Sequence, residues 1–197
     1  MSTARRSVLR AAGLAALVGV GGVVAGCTGD DGGAVGSPLN SDAGQTDVLQ
    51  VIPVAERKAA PQLRGELVDG TSFDLASWRG SPVVVNVWGS WCGPCKDEQP
   101  ALVAAAKALA PRKVRFLGLD QESSRANALA HERTYGVTYP SLSDPAGTQL
   151  LRFQGLVPPS SVPATIVLDA EHRVAAVKLG RITQATLLGM VDQATGR

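Results

Sequence analysis

The run WCGPC at residues 91–95 constrains this chain more than any other feature, because it places two thiols two residues apart. A nearly continuous apolar run, Val83–Trp88, precedes it and predicts a strand covered on both faces. Good helix formers at about residues 94–110 follow and predict a helix, which Pro100 should kink. The two thiols therefore stand at a strand-to-helix junction, where they can form a reversible disulfide.

The chain has three cysteines, Cys27, Cys92 and Cys95, and two histidines, His131 and His172. A structural zinc site usually needs four Cys or His ligands, and a disulfide scaffold needs more pairs. A CxxC bridge also closes too small a loop to stabilise a fold much. We therefore expect no metal and no cofactor, and we interpret Cys92 and Cys95 as a redox pair. His131 and His172 fall in a predicted polar helix and a predicted turn, and we assign them no role.

Residues 1–26 have the pattern of an export signal. Arg5, Arg6 and Arg10 form a basic start, and the apolar stretch that follows is shorter than the roughly 20 residues of a membrane-spanning helix. The Arg5-Arg6 pair is similar to a twin-arginine signal, so the export route stays open. Small residues before Cys27 resemble the bacterial lipobox, in which the signal is cut before a cysteine that receives a diacylglycerol. The alternative is a signal anchor with Cys27 as an ordinary core residue.

Residues 27–47 are rich in Gly, Ser and Asp and predict a flexible tether carrying the lipid. Residues 48–197 then suit a single domain with a sizeable core. The net charge of +2 becomes −1 without the leader, which holds three arginines and no acid. Because the remaining sequence has no Lys/Arg cluster with interleaved aromatic residues, we expect no nucleic-acid partner.

The patterning beyond the tether predicts a mixed α/β sheet flanked by helices. A small hairpin is predicted at residues 63–73 around the turn pair Asp69-Gly70. The later elements are predicted as a strand at 83–88, a helix at 94–110, a strand at 114–119, a helix from Ser123 or Ser124 to about 135, a short helix near 148–153, a strand at 164–169, its hairpin partner at 173–178 and a closing helix at 183–194.

The order β-α-β-α-β-β-α, with WCGPC after the first core strand, resembles the thioredoxin fold. Residues 80–95, GSPVVVNVWGSWCGPC, resemble the "GK-apolar-VNFWATWCxPC" block of the extracytoplasmic TlpA/ResA-like branch. KDEQP at 96–100 matches its "KxExP" continuation, and VPATIVLD at 162–169 resembles its "xPTTFLID" block, with Ala164 where Thr is usual. The resemblance covers about residues 63–194. It implies a thioredoxin fold with an added N-terminal β-hairpin and thiol:disulfide oxidoreductase activity.

Disulfide exchange needs a thiolate nucleophile near neutral pH. At the start of a helix, Cys92 would face the positive end of the helix dipole and backbone N–H groups, which lower a thiol pKa. We therefore expect Cys92 to attack the substrate, and Cys95, about one turn further in and more buried, to resolve the mixed disulfide. Lys96 either adds positive potential near the thiolate or is a solvated lysine.

The resemblance also bears on the proton acceptor for Cys95. Cytoplasmic thioredoxins carry a buried Asp six residues before the first cysteine, where this chain has Asn86, which does not titrate. Some TlpA/ResA-like proteins use a Glu three residues after the second cysteine, and that position is Glu98 here. One helical turn separates Cys95 from Glu98, so both can lie on one side of the helix. Glu98 either tunes the thiol pKa values and relays a proton, or is a solvated surface acid.

The resemblance further implies a cis peptide bond between Val162 and Pro163, next to the cysteines. The Val162 backbone would then pair with an extended substrate segment, and a proline there discourages metal capture by the thiolates. The alternative is a trans proline that opens a strand. Trp88 and Trp91 are expected to pack in the core around the motif, with Trp91 also a candidate for the substrate-docking surface.

The resemblance leads to an exported enzyme, held at the outer face of the cell membrane by a lipid on Cys27. It would reduce disulfides of exported proteins, apocytochrome c among the candidates, with electrons from a membrane thiol donor of the CcdA/DsbD type. Three alternatives stay open: a disulfide-introducing oxidant, a thiol peroxidase and a mixed-disulfide chaperone. Whether the enzyme reduces or introduces disulfides depends on the reduction potential of the Cys92–Cys95 couple. Peroxidase chemistry usually needs Thr and Pro shortly before the cysteine, where Gly89 and Ser90 stand.

Overall fold

The computed structural model describes residues 47–197, so the predicted signal, most of the predicted tether and Cys27 lie outside the described residues. Eight strands and three α-helices occur in the described part of the chain. Their bounds are β1 Val48–Val51, β2 Arg64–Glu66, β3 Ser72–Asp74, β4 Val83–Trp88, α1 Gly93–Leu109, β5 Arg115–Asp120, α2 Arg125–Tyr135, β6 Ser141–Ser143, β7 Ala164–Leu168, β8 Val174–Leu179 and α3 Gln184–Thr195.

The central sheet is mixed, as the sequence predicts, with its strands in the order β1-β8-β7-β4-β5-β6. β4 lies in the middle, parallel to β5 and antiparallel to β7. Every residue of β4 is buried, which explains its continuous apolar run. β2 and β3 form a separate hairpin, so the predicted N-terminal addition to the thioredoxin fold is confirmed.

The two faces of the sheet carry two hydrophobic clusters, because side chains alternate along each strand. Val84 of β4 points into the cluster built with α1 and α3, which contribute Leu102 and Leu187 among others. Val83, Val85 and Val87 point to the opposite face. There they meet apolar residues of the hairpin, of β6 and of the segment before β7: Leu63, Leu67, Leu142, Leu150, Phe153 and Val157.

The helices begin and end where capping chemistry predicts. Cys92 is the N-cap of α1, with Pro94 in the first turn, where a missing N–H costs little. Ser124 caps α2 by accepting a hydrogen bond from the backbone N–H of Asn127, at 3.3 Å. α2 ends at Gly136, whose φ of +64° suits a residue without a side chain. Of the two serines considered for this cap, Ser124 is the one used.

Two strands of the central sheet were not predicted. β1 pairs with β8 at one edge, and all four of its residues are exposed, so no apolar alternation marks it. β6 pairs with β5 at the other edge and has only three residues. Both segments form strands because a neighbouring strand is available for pairing, and the local sequence carries no signal for that neighbour. None of the helices within residues 47–197 has the length and apolar character needed to cross a membrane.

Candidate active site

Cys92 and Cys95 form a disulfide, with an S–S distance of 2.03 Å. β4 ends at Trp88, and a turn then leads to the start of the helix. The Cys92 N–H closes this turn by donating to the carbonyl of Gly89, at 3.0 Å. The backbone N–H of Cys95 points at Cys92 Sγ, 3.1 Å away. Cys92 is 4% exposed and Cys95 1%, which agrees with the expectation that the second thiol is the more buried. An N–H aimed at a sulfur at a helix N-terminus favours the thiolate of Cys92.

The two tryptophans beside the motif have different environments. Trp88 is buried beneath the disulfide, as expected, whereas Trp91 is 60% exposed, so the prediction of core packing for Trp91 is wrong. The Trp91 ring lies against Gly89, where an added Cβ would come within 2.7 Å of the indole. The glycine therefore leaves room for an exposed aromatic ring beside Cys92.

A cleft of about 330 Å³ opens next to the disulfide. Trp91 and Val162 stand on the disulfide side of this cleft, and none of its lining side chains from residues 47–197 is charged. The remaining lining residues come from the loop after β5, from the short turn at 150–153 and from the segments on either side of that turn: Gln121, Pro145, Ala146, Gly147, Leu150, Leu151, Pro159 and Ser160. An uncharged cleft of this kind suits an apolar peptide segment better than a charged one.

The Val162–Pro163 peptide bond is cis, as the resemblance implied. Val162 is half-buried and packs against the cluster that contains both cysteines. Its backbone N–H already donates to the carbonyl of Ser160, at 3.0 Å. The carbonyl of Pro163 accepts the N–H of Gly180, at 3.0 Å. A substrate strand that took the Val162 N–H would therefore have to replace the Ser160 bond.

Glu98 is buried, with only 2% of its surface exposed, so the reading of a solvated surface acid is wrong. Its Oε1 accepts a hydrogen bond from Asn86 Nδ2 at 2.8 Å, and its Oε2 accepts the backbone N–H of Ile182 at 2.9 Å. Burial raises the pKa of Glu98 to about 7, against the opposing effects of these two donors and of Lys178 and Arg181. A carboxyl that titrates near neutrality can accept and release a proton at physiological pH.

Asn86 joins Glu98 to the strand that follows Pro163. Besides its bond to Glu98, its Nδ2 lies 3.4 Å from the carbonyl of Ala164 and 3.3 Å from Thr165 Oγ1. Its Oδ1 is buried without a hydrogen-bond partner. The sequence signal for this contact is a lone amide within an apolar strand, which indicates a buried polar partner but not which one.

His131 belongs to the surroundings of the disulfide, which the sequence did not suggest. It is buried, and its ring stacks on Trp88 with centroids 4.5 Å apart. Its Nε2 lies 3.3 Å from Gln99 Oε1, a contact that ties α2 to α1. Burial, with a smaller effect of Lys96, lowers the pKa of His131. His131 therefore lies in the predicted helix, but on its buried face, which the i+3 spacing from the buried Ala128 marks.

His172 lies in the β7–β8 turn, as predicted, and is also buried. The turn stands at the end of β7 that pairs with Val83, whereas the disulfide follows the other end of β4. His172 therefore lies away from the disulfide. Among residues 47–197, no three His, Cys, Asp or Glu side chains are placed so that they could hold a metal ion.

Two further acids lie beside the motif and were missed. Asp120 ends β5 opposite Trp88, and burial, opposed by the N–H of Glu122 but helped by the charges of Glu122 and Glu132, raises its pKa to about 7. Glu122 accepts hydrogen bonds from Ser90 Oγ and from the N–H of Ser124, and these bonds hold its pKa below the usual range. Glu122 thereby connects the loop before Cys92 to the start of α2.

A disulfide between the N-cap and the first turn of a helix, after the central strand of a mixed sheet and beside a cis proline, defines a thioredoxin-fold dithiol/disulfide protein. The model of the AhpC/TSA family matches residues 57–177, so the chain belongs to that family.

Named relatives and solved structures agree with this class. The chain is 27% identical over 134 residues to the thiol-disulfide oxidoreductase ResA of Bacillus subtilis, which covers 68% of this chain and 73% of that protein. It is 34% identical to a DsbF homologue from Corynebacterium diphtheriae, with a TM-score of 0.68 over 78% of this chain and 96% of that one. A secreted thiol-disulfide isomerase from Corynebacterium glutamicum shares 30% identity, with a TM-score of 0.72 over 82% and 96%. The chain is an enzyme, a thiol-disulfide oxidoreductase.

Proposed function

We propose that this enzyme works outside the cytoplasm and exchanges disulfides with exported proteins through Cys92 and Cys95. One observation carries the proposal: the disulfide stands at a helix N-terminus beside an uncharged cleft, and Trp91 and Val162 line the side of that cleft nearest the disulfide. The location is supported by the secreted relative from Corynebacterium glutamicum and by the signal pattern of residues 1–26.

The exchange proceeds in two displacements on the reduced enzyme. The Cys92 thiolate attacks one sulfur of the substrate disulfide, so a Cys92–substrate S–S bond forms and the second substrate sulfur leaves as a thiolate. Cys95 then loses its proton and attacks Cys92 Sγ, which releases the first substrate sulfur. The substrate gains two electrons and two protons overall, and the Cys92–Cys95 disulfide of the structure is regenerated.

Glu98 is proposed as the group that takes the proton of Cys95 and tunes both thiols. Its support is a buried carboxyl on the same helix, three residues after Cys95, with a pKa of about 7. We expect Glu98→Gln to change the thiol pKa values and to slow disulfide exchange at neutral pH. The test is titration of the thiols by alkylation rate as a function of pH; unchanged pKa values and exchange rate would exclude this role.

Trapping tests the roles of the two cysteines. With Cys95→Ser the mixed disulfide on Cys92 has no resolving thiol, so we expect covalent enzyme–client complexes that reducing agent releases. Cys92→Ser is the matched control, because it keeps one buried thiol of the pair but removes the attacking one. Equal yields from both variants would contradict the assignment of Cys92 as the nucleophile. Identification of the trapped clients also tests whether apocytochrome c is a substrate.

The proposed direction is reduction, with electrons from a membrane thiol donor of the CcdA/DsbD type. The support is the Gly-Pro dipeptide of the motif, which resembles that of reducing thioredoxins. The measurement is the reduction potential of the Cys92–Cys95 couple in a glutathione or thioredoxin buffer. A value near the roughly −270 mV of thioredoxin supports a reductase, and one near the roughly −120 mV of DsbA supports a disulfide-introducing oxidant instead.

We further propose a signal at residues 1–26, a tether at 27–47 and a catalytic domain at 48–197, with a diacylglycerol on Cys27 holding the enzyme to the membrane. The support is the lipobox-like ending of the signal and the Gly/Ser-rich composition that follows it. The test is metabolic labelling with a radioactive fatty acid in a bacterial host. Label on the wild-type chain and none on Cys27→Ser is the expected result; equal labelling would exclude this anchor.

A further inference from the structure

Five exposed cations lie together at the end of the domain opposite the disulfide. These residues, here called the basic pole, are Lys58, Arg79, Lys107, Lys113 and Arg115. None of them takes part in an ion pair among residues 47–197. They are spread over 58 positions of sequence, so the fold alone brings them together.

The sheet register places three members of the basic pole. β4 begins at Val83 and ends next to the disulfide motif, so its first residue marks the far end of the sheet. Arg115 is the register partner of Val83, and Lys113 precedes it by two residues. Lys107 lies in the last turn of α1, a helix that begins at the disulfide and runs back toward this end.

The two other members reach the same end through backbone hydrogen bonds. Arg79 precedes Gly80, whose N–H donates to the carbonyl of Ala170 in the β7–β8 turn, at 3.0 Å. The carbonyl of Lys58 accepts the N–H of Val174, the first residue of β8, at 2.9 Å. Both cations therefore flank the turn that closes the sheet at the end away from Cys92.

The acids at this end offset little of that charge, because arginines outside the basic pole already neutralise most of them. Asp169 pairs with Arg57 and Arg173, and Asp192 pairs with Arg112. Glu171 contacts Arg173, and two further exposed acids, Glu56 and Asp74, lie in neighbouring segments. Residues 27–197 have a net charge of −1, so the rest of this part of the chain is net negative although the basic pole is positive.

The basic pole also borders an apolar surface. Trp78, Lys107 and Arg115 line one open groove of about 370 Å³, together with Val103 and Ala106. The Arg115 guanidinium lies over the Trp78 ring, 5.8 Å from its centroid. Cations that flank an aromatic ring and aliphatic side chains fit the boundary between phospholipid headgroups and acyl chains.

We propose that the basic pole docks on an anionic phospholipid membrane whenever the enzyme is not engaged with its proposed membrane donor, and so holds the Cys92–Cys95 disulfide toward the aqueous side, where exported substrates lie. Charge complementarity selects an anionic surface. The choice of a membrane rests on the proposed anchor at Cys27, because a lipid there keeps the domain beside a bilayer. The 21 residues from Cys27 to Asp47 reach at most about 70 Å when extended, against about 20 Å for a six-residue strand. This length lets the domain turn its basic pole to the bilayer although β1 begins near the disulfide end.

The experiment measures binding of the unlipidated chain from residue 27, with Cys27→Ser, to vesicles. Phosphatidylcholine vesicles with and without phosphatidylglycerol are compared by co-sedimentation, at low and high ionic strength. We expect binding only with phosphatidylglycerol, and its loss at high salt. Each Lys or Arg near an anionic surface contributes roughly fivefold in affinity. The triple variant Lys107→Gln, Lys113→Gln and Arg115→Gln should therefore bind about a hundredfold more weakly.

A charge-matched control separates a specific face from net charge. Arg64→Gln, Arg125→Gln and Arg152→Gln remove the same charge from exposed arginines outside the basic pole and should leave vesicle binding within about threefold of wild type. Equal loss in both triple variants, or equal binding to vesicles with and without phosphatidylglycerol, overturns the proposal. Both variants should reduce a soluble protein disulfide at the wild-type rate with unchanged melting temperature. Failure of docking is therefore distinguishable from failure of the exchange function.

Discussion

At the scale of single residues, burial decides what Glu98 does. A carboxyl three residues after Cys95 would be an ordinary solvated acid if α1 presented it to water. Instead the carboxyl is buried and accepts hydrogen bonds from Asn86 and from the N–H of Ile182. The loss of hydration raises its pKa by more than these two donors lower it. The orphaned Oδ1 of Asn86 gives a protonated Glu98 a place to donate, if the Asn86 amide turns over. A glutamate that would be an ordinary acid on the surface can therefore transfer protons near neutral pH at this buried position.

Glu98→Gln is expected to change how stability depends on pH. The pKa of Glu98 is raised from its usual 4.5 to about 7 in the folded chain, so its stabilising contribution is complete below about pH 4.5 and is lost as the pH rises through 7. A shift of this size corresponds to roughly 3 kcal/mol. The free energy of unfolding of the wild type, relative to Glu98→Gln, should fall by about that amount between pH 4.5 and 8.

Urea unfolding of the oxidised proteins at several pH values checks this prediction. Glutamine is the suitable replacement, because its oxygen still accepts the N–H of Ile182 while its amide can donate to Asn86 Oδ1 once the Asn86 amide turns over. Glu56→Gln, at an exposed acid, is the control and should leave the pH dependence unchanged. A constant difference between wild type and Glu98→Gln across this range would show that Glu98 does not titrate near neutrality.

At the scale of elements, one buried carboxylate shapes the wall of the cleft. Asp144 follows β6 and accepts hydrogen bonds from the backbone N–H groups of Gln149 and Leu150, at 3.0 Å each. It also accepts from Thr148 Oγ1 and from Gln121 Nε2, at 3.0 and 3.1 Å. This segment and Gln121 both line the cleft beside Trp91. Asp144 thereby holds together the parts of the chain that face a substrate.

Asp144→Ala is expected to lower the free energy of unfolding by about 3 kcal/mol, because it leaves buried N–H groups without an acceptor. Asp74→Ala is the matched control, since Asp74 also caps a short turn but is exposed, and it should cost about 1 kcal/mol. Denaturant unfolding gives both values. Hydrogen exchange should show faster opening at residues 144–151 in the first variant only, and an equal response of both variants would contradict the role of Asp144.

At the scale of the whole molecule, Arg57 connects segments that are far apart in sequence. Only 5% of its side chain is exposed, and its guanidinium donates to the carbonyls of Ile52, Gln193 and Ala194 and forms an ion pair with Asp169 at 3.3 Å. The segment after β1, the β7–β8 turn and the end of α3 are thus held by one side chain. The carbonyls at the C-terminal end of α3 favour a cation at this place.

Arg57→Met is expected to destabilise the domain by about 3 kcal/mol, because it removes one partner of a buried ion pair. The value should stay at the low end of the usual range, since Asp169 keeps Arg173 and two backbone N–H donors. Arg64→Met, at an exposed arginine, is the control and should change stability by less than about 0.5 kcal/mol. Thermal and denaturant unfolding measure both variants; a small effect of Arg57→Met would mean that water satisfies these carbonyls equally well.

The local sequence was enough to predict the helices, the central strands and the redox pair. A fully apolar strand, a capping residue and a CxxC at a helix start are local patterns, and each is set by neighbours within one or two turns. The edge strands β1 and β6, by contrast, depend on partners supplied by β8 and β5, so no local pattern marks them. The choice between Ser123 and Ser124 as the N-cap of α2 also needed the structure, because either serine could begin a helix there.

Sequence by itself determined the two thiols, their placement before a helix and the class of chemistry that follows. Tertiary structure alone decided that Glu98 and His131 are buried, that Trp91 is exposed, and that five scattered cations share one end of the domain. The reason is physical: a thiol pair and its helix start are close in the chain, whereas desolvation and surface charge depend on residues that only folding brings together.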